Sequence, residues 1–240
     1  MSEPWVPPHT DLPPDIKETT PLDMHALVGS AWSKAGVDGS SHQSNGVAGS
    51  TIAPDASGVY GENSGGGIGV AGRSMQGVGI YGEGGRLAGQ FVGDVEVTGD
   101  IRLTNADCAE DFDISGTDVV VPGTVMVLDD QGALAASSKA YDRRVAGVVS
   151  GAGSLRPGIV LDRQESGGNR MPIALLGKVY CRIDADYSSV EVGDLLTTSP
   201  TMGHAMKAVD TIQAFGAVIG KALRPISEGR GLIPILVTLQ

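Results

Sequence analysis

Aromatic side chains and cysteines are both scarce in this chain of 240 residues. Phe, Trp and Tyr together make up 4% of the sequence, so no large aromatic core is available. The two cysteines, Cys108 and Cys181, are too few for a small scaffold held together by disulfides. We expect two buried thiols, although a bridge between them is compatible with the sequence.

Positive charge and long apolar runs are also in short supply. The chain has 17 Lys and Arg against 28 Asp and Glu, which gives a formal net charge of -11. An acidic surface repels phosphate, so we expect neither nucleic-acid binding nor adsorption to anionic membranes. No run approaches the roughly 18 apolar residues of a membrane span, and residues 1–5 lack the features of a signal peptide. We therefore expect synthesis in the cytoplasm without membrane insertion.

Glycine, in contrast, is abundant, with 36 residues that are concentrated in a repeat. One short unit bounded by glycines recurs every ten to twelve residues or so, about the length of one strand and one turn. Its copies are Gly46-Val47-Ala48-Gly49, Gly58-Val59-Tyr60-Gly61, Gly69-Val70-Ala71-Gly72, Gly79-Ile80-Tyr81-Gly82 and the variant Ala88-Gly89-Gln90-Phe91.

Such a unit is too small to fold by itself. Each copy offers one or two apolar side chains, and glycine loses more backbone entropy on ordering than any other residue. The repeat therefore predicts an elongated β assembly in which units stack on each other or several chains wind together. We assign it to a glycine-rich shaft over residues 37–104, which ends in 92–103 with alternating apolar and polar residues typical of half-buried strands.

The N-terminal part has two segments of its own. Residues 1–19 are rich in proline and predict an extended arm. Residues 20–36 predict a short amphipathic helix that begins at Thr20-Pro21 and ends at Gly36. This N-terminal segment is either a terminus without a partner or a docking peptide for another protein, and the sequence leaves both interpretations open. In the docking interpretation the contact residues are Trp5, Val6, Leu27 and Trp32.

Residues 105–240 have an ordinary composition with many short apolar segments separated by turns. This spacing predicts a compact β barrel or sandwich that buries its own core. The predicted strands are 119–121, 125–128, 145–149, 159–161, 173–176, 179–183, 217–219 and 232–239. The whole chain is thus predicted to be all-β, with a shaft, a head and one N-terminal helix.

The C-terminal part resembles a family. Several of its stretches, in this order and spacing, are similar to the intramolecular-chaperone domain at the end of phage tail-fibre, tail-spike and neck-appendage proteins. These stretches are Asp107-Cys108-Ala109-Glu110-Asp111-Phe112-Asp113, 145–150, 172–179, 193–199 with 203–208, and 216–222. The resemblance implies a homotrimeric fibre, and a domain of the glutamic self-cleaving peptidase type. The sequence departs from the family pattern at Asp111, Asp113 and Ile114, which bears on cleavage more than on the fold.

The acidic cluster is the one candidate active site. Glu110, Asp111 and Asp113, together with Asp107, would be the catalytic carboxylates if the chain cleaves itself, because close carboxylates shift each other's pKa apart. On an extended strand Asp111 and Asp113 face one side and Glu110 the other. A solvated acidic turn and a metal site are the alternatives.

Other chemistry is weakly indicated. The four histidines are scattered without zinc spacing, and we expect no cofactor and no enzymatic activity beyond self-cleavage. Asp184 and Asp186 could be a glycosidase pair, but acidic residues are common after a strand. For a carbohydrate-binding module, the head offers Tyr141, Tyr180 and Tyr187 as its only tyrosines.

We therefore predict a structural homotrimeric fibre or spike component of a phage or phage-like particle. Its expected partners are its own copies, a particle or tail protein bound by the N-terminal arm, and a host-surface glycan. The C-terminal β domain would act in trimerisation or host-surface attachment. Alternative functions are an autoproteolytic intramolecular-chaperone domain and a carbohydrate-binding module.

Overall fold

The computed structural model describes residue 35 and residues 37–116, 119–164 and 168–238. The chain divides into two compact units, Met1–Asp94 and Val95–Gln240. The predicted arm and helix, with Trp5, Val6, Leu27 and Trp32, lie outside the described residues.

The second unit contains a long central strand, and four of the nine other strands in the described residues pair with it directly. The strands are β1 Asp107–Asp113, β2 Val125–Leu128, β3 Leu134–Ala136, β4 Val145–Val149, β5 Pro157–Leu161, β6 Arg170–Asp184, β7 Leu195–Thr198, β8 Ala205–Lys207, β9 Val218–Ala222 and β10 Arg230–Thr238, with the helix α1 Thr211–Ala214 between β8 and β9. β6 pairs with β1, β4, β8 and β10.

Five strands close into a barrel. In the order β6-β10-β9-β7-β8 each strand pairs with the next, and β8 pairs with β6 to complete the ring. β4, β2 and β3 extend the sheet from one side of β6, while β1 pairs with both β6 and β5. The prediction of an all-β chain with a compact C-terminal barrel is confirmed.

The core is built from small aliphatic side chains, as the low aromatic content predicts. Fully buried residues from β6, β7, β9 and β10 include Val179, Ile183, Leu196, Ile219 and Ile235. Such a core allows strands to approach closely. At Gly220 in β9, an added β carbon would lie only 2.0 Å from the carbonyl oxygen of Leu236 in β10. This position requires glycine where the barrel closes.

The structure corrects three local predictions of secondary structure. Residues 119–121 form no strand, and 173–176 and 179–183 are parts of the single strand β6. Residues 92–103 form no strand, and Val95, Val97, Ile101 and Leu103 are exposed. Within the described residues this segment has no neighbouring strand, and a strand requires such a partner for its backbone groups.

In the first unit, residues 37–94 contain turns and bends but no assigned helix or strand. Successive repeats nevertheless contact each other through their glycines. A β carbon on Gly49, Gly61 or Gly72 would lie 2.2, 2.8 or 2.5 Å from the carbonyl oxygen of the glycine that opens the next repeat, Gly58, Gly69 or Gly79. The glycines thus permit a backbone approach that no other residue would allow.

Candidate functional site

Within the described residues, the glycine repeat exposes a regularly spaced set of apolar side chains. Each repeat contributes its Val or Ile and, in two repeats, the following Tyr. All of them are between 66% and 76% exposed: Val47, Val59, Tyr60, Val70, Ile80 and Tyr81. A soluble protein rarely exposes a large contiguous apolar surface unless something binds there. We call these six residues the repeat row.

Glycine stacking determines where each member of the row lies. The side chains of Val59, Val70 and Ile80 contact the preceding repeat so closely that a β carbon on its last glycine would lie 2.9, 2.6 and 2.5 Å from them. Tyr60 and Tyr81 each donate a hydroxyl hydrogen bond to a glutamate two residues later, Glu62 at 3.1 Å and Glu83 at 2.7 Å. The same contacts therefore recur from repeat to repeat.

The predicted acidic cluster lies on strand β1, where burial alternates. Asp107, Ala109 and Asp111 are buried, whereas Cys108 and Glu110 are half-buried on the other face. Asp113 ends the strand and is exposed. Because Glu110 and Asp111 face opposite sides, the strand does not bring the three predicted carboxylates together.

Arginines, rather than other carboxylates, contact Asp111 and Asp113. The Arg163 Nε lies 3.2 Å from the Asp111 carboxylate, and the Arg170 Nε lies 3.9 Å from that of Asp113. Arg170 also donates to the Asp111 carbonyl oxygen and pairs with Asp162 at 2.5 Å. This network connects β1, the beginning of β6 and the segment after β5, so its evident effect is to hold these segments together.

Asp107 is the exception in the cluster, because it is buried without a partner. Its side chain is 4% exposed, and neither carboxylate oxygen makes a hydrogen bond within the described residues. Burial raises the pKa of the Asp107 carboxyl, and the nearby Ser150 hydroxyl offsets only part of that rise. The group therefore favours its protonated form more than an ordinary aspartate does.

The three tyrosines of the head do not form a common sugar platform. The Tyr141 hydroxyl accepts the backbone N–H groups of Val209 and Asp210, both at 3.0 Å. The ring of Tyr180 packs so closely on Gly153 that a β carbon there would lie 2.7 Å from it. Tyr187 is exposed. At least two of them are thus engaged in contacts within the fold.

A cavity of about 320 Å³ opens beside the paired strands β6 and β10. It is lined by Pro122, Arg182, His204, Arg230, Gly231 and Leu232. Asp184 lies next to it, fully buried, and accepts a hydrogen bond from the Thr201 hydroxyl. Arg230 pairs through Nε with Asp184 at 3.4 Å and with Asp186 at 3.7 Å. The sequence analysis missed this cavity because its arginines are far apart in the chain.

The same contacts explain the structural role of Asp184 and Asp186. Hydrogen bonds from Thr201 and from the backbone N–H of Asp186, with the charge of Arg230, outweigh burial and lower the pKa of the Asp184 carboxyl. Asp186 also accepts the backbone N–H of Gly229 at 3.1 Å. Both carboxylates orient Arg230 and the adjoining turn.

Within 37–116, 119–164 and 168–238, no three His, Cys, Asp or Glu side chains come together as a metal site. Of the part of the chain that the structure describes, no helix has the length and hydropathy of a transmembrane span.

No family of known proteins matches the sequence, and no curated protein matches it either. Among solved structures, the pre-mature bacteriophage phi29 gene product 12 is 16% identical, with a TM-score of 0.45 over 61% of this chain. The match covers 23% of that protein's chain. The C-terminal fragment of the same gene product is 18% identical, with a TM-score of 0.40 over 55% of this chain and 100% of the fragment.

A third match is to the N base of the phi29 head fibre gp8.5. It is 16% identical, with a TM-score of 0.27, and covers 55% of this chain and 90% of that one. Similarities of this size do not assign a function, so the function of this chain has to be argued from its own residues.

Proposed function

We propose that this chain is a structural homotrimeric fibre or spike component of a phage or phage-like particle. The observation that carries the proposal is the repeat row, whose apolar side chains face solvent in the single chain. Burying apolar surface stabilises a protein by about 25 cal/mol for each Å², so covering the row is strongly favourable. A further copy of the same chain is the partner that the row fits best.

The periodicity of the row supports a self-partner. The units recur at positions 46, 58, 69 and 79, with a Val or Ile after the first glycine each time. A second copy presents the same spacing, so every unit meets an equivalent unit. A closed ring of copies buries all rows equally, as closed symmetry requires. The resemblance of residues 107–222 to phage fibre proteins favours three copies.

The second unit begins with a further set of exposed apolar side chains. Val95, Val97, Ile101 and Leu103 are also exposed and alternate with Glu96, Asp100 and Arg102. In an assembly these residues would gain the neighbouring strands that the single chain does not give them. The alternation predicted from the sequence would then have its physical reason in a partner copy.

The two ends of the chain would have different roles. The arm and helix over 1–36 would attach the fibre to a particle or tail protein through Trp5, Val6, Leu27 and Trp32. The C-terminal barrel buries its own core, so it can fold in each chain, register the three copies and present loops to a host surface. Such a protein would be part of the virion.

Sedimentation equilibrium of the full chain tests the assembly. We expect the mass of three 24.5 kDa chains at micromolar concentration. The variant Val70→Asp places a charge in the repeat row and should dissociate the assembly, whereas Gln76→Asp, an exposed polar position of the same repeat region, should leave the mass unchanged. A monomeric wild-type chain would refute the proposal.

Autoproteolysis is a second candidate, and Asp107 is the observation that favours it. A general acid must hold its proton near neutral pH, and burial raises the pKa of this carboxyl. Freshly purified protein is expected to separate into two fragments on a denaturing gel, with no fragments for Asp107→Asn and normal cleavage for Glu96→Ala, which removes an exposed carboxylate. An intact wild-type chain after prolonged incubation would exclude self-cleavage.

A further inference from the structure

The cavity beside β6 and β10 brings together polar groups from three separate segments. Arg182 lies on β6 and is the register partner of Leu232 on β10, while Arg230 is the register partner of Asp184. Because residues two apart on a strand share a face, both arginines lie on the same face of this strand pair. His204 reaches the cavity from the turn before β8.

The charged groups around the cavity still have donors to offer. Arg182 makes no side-chain hydrogen bond or ion pair within the described residues, although a guanidinium carries five N–H donors. The closest contacts of Arg230 with Asp184 and Asp186 are made through Nε, and its terminal N–H groups make no hydrogen bond within the described residues, so they are free to bind a ligand. An arginine without a carboxylate partner is a position where an external anion is favoured locally, against the repulsion from the net charge of -11 of the whole chain.

Arg230 is also held in place before any ligand arrives. Asp184 is fully buried and accepts hydrogen bonds from the Thr201 hydroxyl and, at 3.0 Å, from the backbone N–H of Asp186. A carboxylate fixed in this way fixes the guanidinium that pairs with it. Binding then requires less ordering of side chains, which is a large part of the cost of recognition.

His204 and the apolar wall add a second kind of contact. The His204 Nδ1 lies 2.7 Å from the Met202 carbonyl oxygen. Since a carbonyl can only accept, Nδ1 carries a proton, and in the neutral tautomer with that proton Nε2 is an acceptor. Pro122 and Leu232 contribute apolar surface to the same cavity. A hydroxyl group and the carbon face of a sugar ring match these two features.

We infer that this cavity binds an acidic saccharide. Its carboxylate or phosphate accepts hydrogen bonds from Arg182 and Arg230, one hydroxyl donates to Nε2 of His204, and the ring packs against Pro122 and Leu232. A guanidinium fork recognises both kinds of anion. This inference deepens the proposed role in host-surface attachment by naming the chemistry of the ligand, and it rests on that role only for its biological setting.

Titration calorimetry of the full chain with D-glucuronate, glucose 1-phosphate and glucose tests the inference. At least one of the two acidic sugars should bind saturably below roughly 10 mM, and glucose should bind at least tenfold more weakly or not at all. Which acid binds more tightly distinguishes a carboxylated from a phosphorylated ligand. No saturable binding of either acid, or equal binding of glucose, would overturn the inference.

Two variants locate the site. Arg182→Gln should weaken binding about tenfold or more, because one charge-assisted hydrogen bond contributes about 1.5–3 kcal/mol. Arg224→Gln removes an exposed arginine that does not line the cavity and should bind as wild type does. Equal weakening by both substitutions would contradict the site.

A measurement on the unmodified protein avoids any effect of substitution on folding. The ring resonances of His204, identified by their loss in His204→Gln, should shift on addition of the acidic sugar, and an unchanged ring would contradict the contact. Sedimentation of the same sample reports the assembly independently. A monomer that binds glucuronate would refute the proposed fibre but support the saccharide site. A trimer that binds neither acidic sugar would support the fibre but refute the site.

Discussion

A β carbon placed on Gly49 would lie 2.2 Å from the carbonyl oxygen of Gly58, the first residue of the next repeat. No real side chain tolerates such a distance, so these two glycines define how one repeat stacks on the next. The repeat row depends on this contact, because Val59 follows Gly58 directly and lies over Gly49.

The substitution Gly49→Ala should therefore destabilise the repeat. The added methyl group forces the two backbones apart, and overpacking of this kind costs about 1–3 kcal/mol. We expect a lower melting temperature for the first unit in calorimetry. Gly85→Ala is the matched control, since a β carbon there meets nothing within 4 Å. Equal melting of the two variants would mean that the repeats do not stack in this way.

Tyr141→Phe should destabilise the second unit. The Tyr141 hydroxyl accepts the N–H groups of Val209 and Asp210 just before helix α1, and its backbone has a φ of 53°, which is unusual for an aromatic residue. Loss of the hydroxyl leaves two donors to water and should cost about 1 kcal/mol in urea unfolding. Tyr187→Phe changes an exposed tyrosine and should have no measurable effect.

Asp107→Asn should stabilise the fold at neutral pH and not at acid pH. Burial raises the pKa of Asp107 in the folded state above its ordinary value. The folded state thus carries a penalty that is fully present above the folded pKa and disappears as the pH falls below the unfolded pKa of about 3.9. Urea unfolding at pH 7 and pH 3 checks this. An equal gain in the free energy of unfolding at both pH values would show that the charge of Asp107 is not the cause.

The two thiols should differ in reactivity. Cys108 is half-buried on β1, whereas Cys181 is completely buried and burial raises the pKa of its thiol far above the ordinary value. Only the thiolate reacts. An aromatic disulfide reagent should therefore modify Cys108 in the folded protein and both cysteines in denaturant. Cys108→Ser should abolish the native reaction, and an absence of thiols in denaturant would instead indicate a bridge.

Much of the fold can be read from local patterns. The aliphatic composition and frequent turns predicted a β head, and strands such as 125–128 and 145–149 were predicted with their bounds. The strands β1, β3, β7 and β8 were not in the prediction. They are short or polar, as in Asp107–Asp113 and Leu195–Thr198, and acquire strand structure from long-range pairing that no local pattern encodes.

The candidate sites also divide into those that the sequence predicts and those that only the structure reveals. The sequence pointed to Glu110, Asp111 and Asp113 because they are adjacent in the chain, and the structure disperses them between two faces and two arginines. It could not point to Arg182 with Arg230, whose proximity depends on the register of β6 against β10. Neighbouring residues of one strand point to opposite faces of the sheet. The register between two strands, in contrast, places residues that are far apart in the chain side by side.

Local composition is enough to show that this chain has little to bury between residues 46 and 91, and that residues 105–240 carry enough apolar segments for a core. Glycine spacing and apolar content are local properties, so they can be read directly from the sequence. The tertiary structure alone decided that five strands close into a barrel, that the repeats meet glycine to glycine, and that Asp184 holds Arg230 beside a cavity. These depend on which distant segments pair, and pairing is fixed by the packing of the whole unit.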